Sequence, residues 1–176
     1  IINKVDSAPA DHIEQVRRNI ETFAPRANIV LAESKLIVDR PEQIRDKRVL
    51  VVEDGPTLTH GEMSYGAGTI AAQIHGAAAI IEPVRYAVGS IKEALRNYPN
   101  LGSVLPAMGY SREQIADLEQ TINAAECDVV VCATPIDLAK LLQINKPTVR
   151  VRYEYGDYSQ PTLQASLIGR LQNMFV

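Results

Sequence analysis

The sequence predicts an α/β fold with a doubly wound, mostly parallel sheet and helices on both faces, a Rossmann-like arrangement. Short β-branched runs alternate with amphipathic helical runs, which is the order of strand–helix–strand units. The strand candidates are continuously apolar, as in parallel strands that are covered on both faces. With 176 residues, 46% of them hydrophobic, the chain is long enough to bury such a core.

Apolar periodicity and breaker residues place the individual elements. Helices are predicted for residues 8–24, 65–76, 88–98, 112–125, 135–143 and 160–175. Strands are predicted for residues 27–34, 48–55, 77–83, 101–109, 127–134 and 146–154. The apolar residues that share one face of the first helix are Ile13, Val16, Ile20 and Phe23. Ser111, followed by Gln114, predicts a capping box at the start of the fourth helix.

Charge and composition exclude several classes of partner. The net charge is −3 and the pI about 5.6, so we expect no broad basic surface for nucleic acid or an anionic membrane. No apolar run reaches the roughly 18–20 residues of a membrane span, and the first residues do not form a signal peptide. Cys127 and Cys132 are too far apart on a strand to bridge, and we interpret them as buried thiols of a cytoplasmic protein.

Ligands of doubly wound sheets bind beyond the carboxyl ends of the strands, so the residues after each apolar run are the candidate site. After Ile2 comes an N-K-x-D loop formed by Asn3, Lys4 and Asp6. The Asp6 carboxylate is able to accept from two adjacent N–H groups on the edge of guanine, whereas adenine presents an acceptor at one of these positions. The alternative is a polar turn in which Asp6 stabilises the start of the following helix.

A second strand-end loop, A-E-S-K, is predicted at residues 32–35. Its serine and lysine would lie against the other side of the base, and the asparagine of the first loop would tie the two loops together. The predicted nucleotide-base site therefore consists of Asn3, Lys4, Asp6, Ser34 and Lys35.

Residues 53–72 follow the buried run R-V-L-V-V and are rich in glycine, threonine and acids. Glycines allow close backbone approach, and the amides at a helix start bind anions, so this loop and the helix after it predict a site for a small phosphorylated metabolite. The predicted substrate and phosphate ligands here are Gly55, Thr57, Thr59, Gly61, Gly66, Gly68 and Thr69. Glu53 and Asp54 are the predicted Mg²⁺ ligands, and His60 a predicted catalytic donor. The structural alternative is a long turn before a tightly packed Gly/Ala helix.

Further strand ends also carry polar residues. Arg85 is a second candidate catalytic donor to phosphate, with an internal ion pair as the alternative. Thr134 and Asp137 follow the most continuous apolar strand and are candidate substrate ligands, with a helix cap at Thr134 as the alternative. Arg150 and Arg152 share one face of the last strand, where each needs an anionic partner, internal or bound.

Four stretches together carry a resemblance to a known family. These stretches are "INKVDSAP", "VVEDGPTLTHGEMSYGAGTIAA", "DVVVCATPIDL" and "INKPTVRVRYE". They resemble the carboxyl-terminal part of the cyclic 2,3-diphosphoglycerate synthetase family, which includes relatives described as predicted GTPases. The resemblance spans nearly the whole chain, and "EDGPTLTHG" is its most specific part.

The resemblance implies a larger parent protein with a P-loop nucleotide core. Residues 1–45 would be the tail of that nucleotide-binding domain, and residues 46–176 a carboxyl-terminal α/β domain. It also implies GTP or ATP with Mg²⁺ as cofactors and the missing amino-terminal part of the same protein as a partner. The family activity is an ATP-consuming ligation that closes 2,3-diphosphoglycerate into a cyclic phosphoanhydride. Because Ala67 stands where a Walker A loop requires lysine, we expect this chain alone to be inactive.

Other functions stay open at this point. The N-K-x-D loop is shared with many GTP-binding proteins, so a regulatory GTPase or a GTP-dependent metallochaperone is one alternative. A non-catalytic metabolite-binding module is another, favoured by the absence of a Walker A sequence from the chain. Formation of a homo-oligomer is also left open.

Overall fold

The computed structural model describes residues 1–60, 64–109 and 111–172, with only the backbone described for Thr57, His60, Arg170 and Gln172. The helices are α1 Ala10–Phe23, α2 Gly55–His60, α3 Ala67–Ile74, α4 Gly89–Asn97, α5 Arg112–Ala124, α6 Leu138–Leu141 and α7 Leu163–Gln172. The strands are β1 Ala32–Val38, β2 Arg48–Asp54, β3 Ala79–Ile80, β4 Val104–Ala107, β5 Val129–Ala133 and β6 Thr148–Asp157. Short 3-10 turns lie at Pro41–Gln43, Pro83–Arg85 and Pro99–Leu101.

Within the described residues the strands form one sheet in the order β1-β6-β5-β2-β3, with β4 also paired to β2. β2 has the most partners. It runs parallel to β5, with Val49 opposite Val129, and parallel to β4, with Val51 opposite Val104. It also runs parallel to β3, and β5 runs parallel to β6. The predicted doubly wound, mostly parallel α/β fold is confirmed.

Alternating side chains of β2 enter two apolar cores, one on each face of the sheet. Leu50 and Val52 belong to the core that α4 and α5 cover. Val49 and Val51 belong to the core that α3 covers. Because a strand sends successive side chains to opposite faces, burial on both faces requires the continuous apolar run that the sequence shows.

The chain folds as two compact units. We call Ile1–Lys35 with Tyr153–Val176 the terminal unit, and Leu36–Arg152 the central unit. Both apolar cores described above lie in the central unit. In the terminal unit, Ile2 forms a parallel bridge with Leu31, and the Ile2 N–H donates to the Val30 carbonyl at 2.9 Å. The boundary predicted at residue 45 concerns a longer parent protein and stays a prediction.

Three segments differ from the predicted elements. Residues 32–35, predicted as a loop, are the beginning of β1, because the strand continues through the β-branched Ile37 and Val38. The predicted loop after β2 begins instead with α2, and Leu58 anchors that helix in the core with only 1% of its surface exposed. The predicted helix over residues 135–143 is shorter, and α6 begins only at Leu138.

Several local predictions are confirmed. The Ser111 hydroxyl accepts from the Gln114 N–H at 3.2 Å, and the Gln114 side chain accepts from the Ser111 N–H at 3.3 Å, which is a capping box. Cys127 and Cys132 are buried and free, and burial raises the pKa of both thiols, that of Cys132 to about 12. None of the helices within the described ranges has the length and apolar character needed to cross a membrane.

Candidate functional site

The N-K-x-D segment forms a tight turn in the terminal unit. Lys4 has a φ of +61°, in the left-handed region that non-glycine residues rarely adopt. Its N–H donates to Asn3 Oδ1 at 2.8 Å, and its carbonyl accepts from the Ala8 N–H at 2.9 Å. Val5 is buried, whereas Asn3, Lys4 and Asp6 are exposed. The turn therefore anchors its one apolar residue in the protein and leaves the three polar side chains of the motif accessible.

The A-E-S-K segment lies beside this turn. The Val5 N–H donates to the Ala32 carbonyl at 3.1 Å, and Ser34 Oγ donates to Asn3 Oδ1 at 3.4 Å. The Asn3 amide oxygen thus contacts both the turn and the strand. The structure therefore brings together two segments that the sequence predicts to share a site, although Ser34 lies on a strand and not in a loop.

Lys35 forms an ion pair within its own strand. Its Nζ lies 3.2 Å from Glu33 Oε1, and 60% of the lysine side chain is exposed. Gly156 of β6 packs against this pair, since a Cβ there would lie 2.7 Å from Lys35 Cε and 2.9 Å from Glu33 Cγ. Glu33 and Gly156 are not among the site residues predicted from the sequence. A glycine inside a strand pattern is the one signal of such a close approach.

The central unit holds a buried carboxylate at the end of β2. Glu53 is 3% exposed, and its Oε1 accepts from the Thr69 N–H at 2.9 Å and from Thr69 Oγ1 at 3.3 Å. The backbone N–H groups of Gly66 and Gly68 also donate to this carboxyl. These donors belong to the start of α3, where sequence analysis places a bound phosphate. The helix start therefore already has an acidic partner inside the protein.

Burial raises the pKa of Glu53, because removal from water penalises the charged form. Hydrogen bonds from Thr69, Gly68 and Gly66 favour the charged form and oppose this shift without cancelling it. The carboxyl therefore keeps its proton to a higher pH than an exposed glutamate does.

The glycines before and within α3 allow close packing. A Cβ at Gly66 would lie 2.5 Å from Glu53 Oε2. A Cβ at Gly68 would lie 2.9 Å from Val51 Cγ1 and 3.0 Å from the Cβ of Ala133. The small residues let α3 approach β2 and β5 closely enough for Glu53 to reach its amides. This gives a structural reason for two glycines that sequence analysis assigns to phosphate binding.

The segment after β2 is partly described. Gly55 begins α2 directly after the strand, at a point where a Cβ would lie 2.6 Å from the Ala107 carbonyl oxygen. Thr59 Oγ1 donates to the Gly55 carbonyl at 3.0 Å, within the helix, and Asp54 is half-buried at the strand end. Outside the described atoms lie the side chains of Thr57 and His60 and all of Gly61. Their predicted roles stay predictions.

Internal contacts hold the segment after β5. The buried Thr134 donates its hydroxyl proton to the Ile136 carbonyl at 2.6 Å. Asp137 Oδ2 accepts from Arg150 Nη1 at 3.4 Å, and Arg150 Nη2 donates to the Pro135 carbonyl at 3.3 Å. The anionic partner that Arg150 needs is therefore internal.

The remaining candidate arginines are Arg152 and Arg85. Arg152 pairs with Asp39 at 2.9 Å. Arg85 is exposed at the end of the Pro83–Arg85 turn. Among the described residues no group of three or more His, Cys, Asp or Glu side chains is placed to hold a metal ion. The Mg²⁺ site predicted at Glu53 and Asp54 stays a prediction.

Comparison with known proteins finds a longer relative. Arginine synthetase ArcE of Thermococcus kodakarensis is 55% identical over 167 residues, which is 95% of this chain and 37% of the relative. The chain therefore spans little more than a third of the length of the curated relative that it matches. No family model matches the chain, and no solved structure does. The chain is thus similar to one segment of a larger synthetase.

Proposed function

We propose that this chain is part of a nucleoside-triphosphate-dependent ligase, to which it contributes recognition of the nucleotide base and a surface for a phosphorylated substrate. The observation that carries the proposal is the Asn3 amide, which contacts the Lys4 N–H and Ser34 Oγ while Asp6 stays exposed beside it. The high identity to a synthetase supports the ligase class.

Asp6 is the residue on which base selectivity depends in this proposal. A carboxylate accepts hydrogen bonds and donates none, so it matches the two N–H groups of guanine and leaves an acceptor of adenine unpaired. GTP is accordingly the preferred nucleotide. The alternative is ATP, which the cyclic 2,3-diphosphoglycerate synthetase family uses. For Lys35 to reach a base, its ion pair with Glu33 must rearrange.

The substrate surface is proposed for the segment from Glu53 to Thr69. The Thermococcus relative is named for arginine synthesis, which makes an arginine-forming ligation the first candidate reaction. The resemblance in "EDGPTLTHG" favours the second candidate, closure of 2,3-diphosphoglycerate. In both, transfer of a γ-phosphoryl group activates an oxygen of the substrate, and His60 and Arg85 are the proposed donors to the phosphate charge.

Magnesium fits the two predicted carboxylates unequally. Glu53 faces the amides of α3 and is 3% exposed, so it is a poor candidate ligand in this arrangement. Asp54 is half-buried at the strand end and is the residue we propose to hold Mg²⁺ at the substrate surface. When bound, the ion would neutralise charge on the phosphates.

A calorimetric titration of the 176-residue chain with GTP and with ATP, both with Mg²⁺, tests base recognition. We expect weak binding that prefers GTP and that Asp6→Ala weakens by about tenfold or more, as expected for the loss of hydrogen bonds to a charged group. Asp11→Ala is the matched control, since Asp11 is also exposed and lies in the first turn of α1. Equal binding by the Asp6→Ala and Asp11→Ala variants would contradict the proposal.

A second titration separates the substrate classes. Arginine and 2,3-diphosphoglycerate are each added with Mg²⁺, and the His60→Ala variant is measured beside the original chain. Binding of either compound that requires His60 supports a ligase and identifies its substrate class. If neither compound binds while GTP does, a regulatory GTPase replaces the ligase as the better proposal.

A further inference from the structure

The helix α1 has an apolar stripe that the described protein covers only in part. Its four members are Ile13, Val16, Ile20 and Phe23, of which Ile13 and Ile20 are half-buried and Val16 and Phe23 are exposed. Val16 is 44% exposed and Phe23 is 85% exposed. An isolated helix of 14 residues is only marginally stable in water, because most helical stability comes from packing an apolar face. The exposed part of the stripe is therefore expected to pack against a partner surface.

The spacing of the stripe indicates the shape of the surface that it fits. Positions 13, 16, 20 and 23 follow the 3-4-3 spacing of a heptad seam, which is narrow and suits insertion into a groove or between helices. The opposite face is polar, with Arg18 at its centre, and the Arg17 guanidinium lies 3.6 Å from Glu14 on the flank. The partner is thus an apolar protein surface with a polar rim.

Two candidate occupants differ in how well they fit. A second copy of this chain would pair two stripes of four residues, which is two heptads, whereas stable coiled coils sustain three to four or more. The Thermococcus relative matches this chain over only 37% of its own length, so most of that polypeptide lies outside the matched segment. We therefore take that remaining polypeptide as the partner that packs against the stripe.

We propose that the Ile13–Phe23 stripe of α1 is the docking surface for the part of a longer synthetase that corresponds to the unmatched portion of the relative. The proposal rests on the proposed function, since it assumes that this chain works within such a larger protein. It assigns to α1 the role of joining the nucleotide-base turn, eight residues or fewer before it in sequence, to the rest of that protein.

Cysteine labelling tests the docking surface. A chimera is made in which this chain replaces the matching segment of the Thermococcus relative, and Phe23→Cys is labelled with a maleimide in the chimera and in the 176-residue chain. Cys127 and Cys132 are buried with raised pKa values, so they contribute little background. We expect the Phe23→Cys thiol to react about tenfold more slowly in the chimera, as expected for a side chain that becomes buried.

Arg18→Cys is the matched control on the opposite face of the same helix. It is expected to react equally fast in both proteins. Equal reactivity of Phe23→Cys in the two proteins would overturn the proposal. Protection of Phe23→Cys in the 176-residue chain that increases with protein concentration would also overturn it, in favour of a second copy. Neither result depends on nucleotide binding, so failure of the base-recognition proposal remains distinguishable.

Hydrogen exchange on the unmodified relative covers the case in which the chimera does not fold. The peptide that corresponds to α1 is expected to exchange slowly in the whole Thermococcus protein and at least about tenfold faster in its matching segment alone. Equal exchange in both would overturn the proposal independently of the chimera.

Discussion

Asp6 in the terminal unit follows the bridge residue Ile2, and Glu53 in the central unit lies near the end of β2, but the surroundings of the two acids differ. Asp6 is exposed, and the turn that carries it is fixed by the Asn3 amide and not by the carboxylate. Glu53 is 3% exposed and binds the amides of α3. Asp6 is therefore available to a ligand because Asn3 holds its turn, whereas Glu53 is already bound to the start of α3.

Replacing each acid by alanine is the strongest test of this difference. Glu53→Ala should lower the free energy of unfolding by about 2–4 kcal/mol, because buried N–H groups of α3 lose their acceptor and a cavity remains. Asp6→Ala should change it by no more than about 0.5 kcal/mol, as for other exposed positions. Urea unfolding of the two variants measures both values. Similar losses in the two variants would contradict the comparison.

Glycine replacements test how tightly α3 packs against the sheet. Gly68→Ala should destabilise the protein by about 1–3 kcal/mol, since its Cβ would lie 2.9 Å from Val51 Cγ1 and 3.0 Å from the Cβ of Ala133. Gly169→Ala, in α7, would place its Cβ more than 4 Å from any described atom beyond its own helix turn and should stabilise the helix by about 0.5–1 kcal/mol. Thermal unfolding should therefore give shifts of opposite sign. A neutral Gly68→Ala would mean that α3 is able to move away from the sheet.

The pH dependence of stability gives the smallest expected effect. Because the folded-state pKa of Glu53 is raised, its contribution to stability is full below the unfolded value of about 4.5 and is lost as the pH rises through the folded-state pKa. Glu53→Gln cannot ionise and still offers an acceptor to the α3 amides. The stability of Glu53→Gln relative to the original protein should therefore increase from about pH 4.5 towards neutrality. A constant difference in stability across that pH range would show that burial does not raise the pKa of Glu53.

The sequence predicted the fold well because its strands are continuously apolar, which leaves little choice but burial on both faces. It also placed Asn3 and Ser34 in one site, and the structure brings them together at 3.4 Å. It did not predict that Glu53 binds the start of α3. The sequence pattern of an acid at a strand end is the same whether its partner is a metal ion or a backbone amide. Here the packing of Gly68 against β2 and β5 brings the amides of α3 to Glu53.

Two other differences have local causes. Residues 32–35 read as a loop since their polar letters interrupt the apolar run, yet the strand continues to Val38. Of the three polar residues there, Lys35 is exposed and Glu33 and Ser34 are half-buried, which a strand accommodates without ending. The buried hydrophobic residue among those described in α2 is Leu58. A single apolar residue does not show the helical periodicity from which a buried helix is predicted.

The central position of β2 has a consequence for how the molecule folds. Val49 pairs with Val129, so the middle of the sheet closes only after a long stretch of chain has been synthesised and three parallel partners have been recruited. Parallel pairings between distant segments have high contact order and form slowly, because chain entropy is lost in closing the loop before the stabilising contacts form. The helices α4 and α5, whose backbone hydrogen bonds are local in sequence, should be ordered early, and completion of the sheet around β2 should set the folding rate.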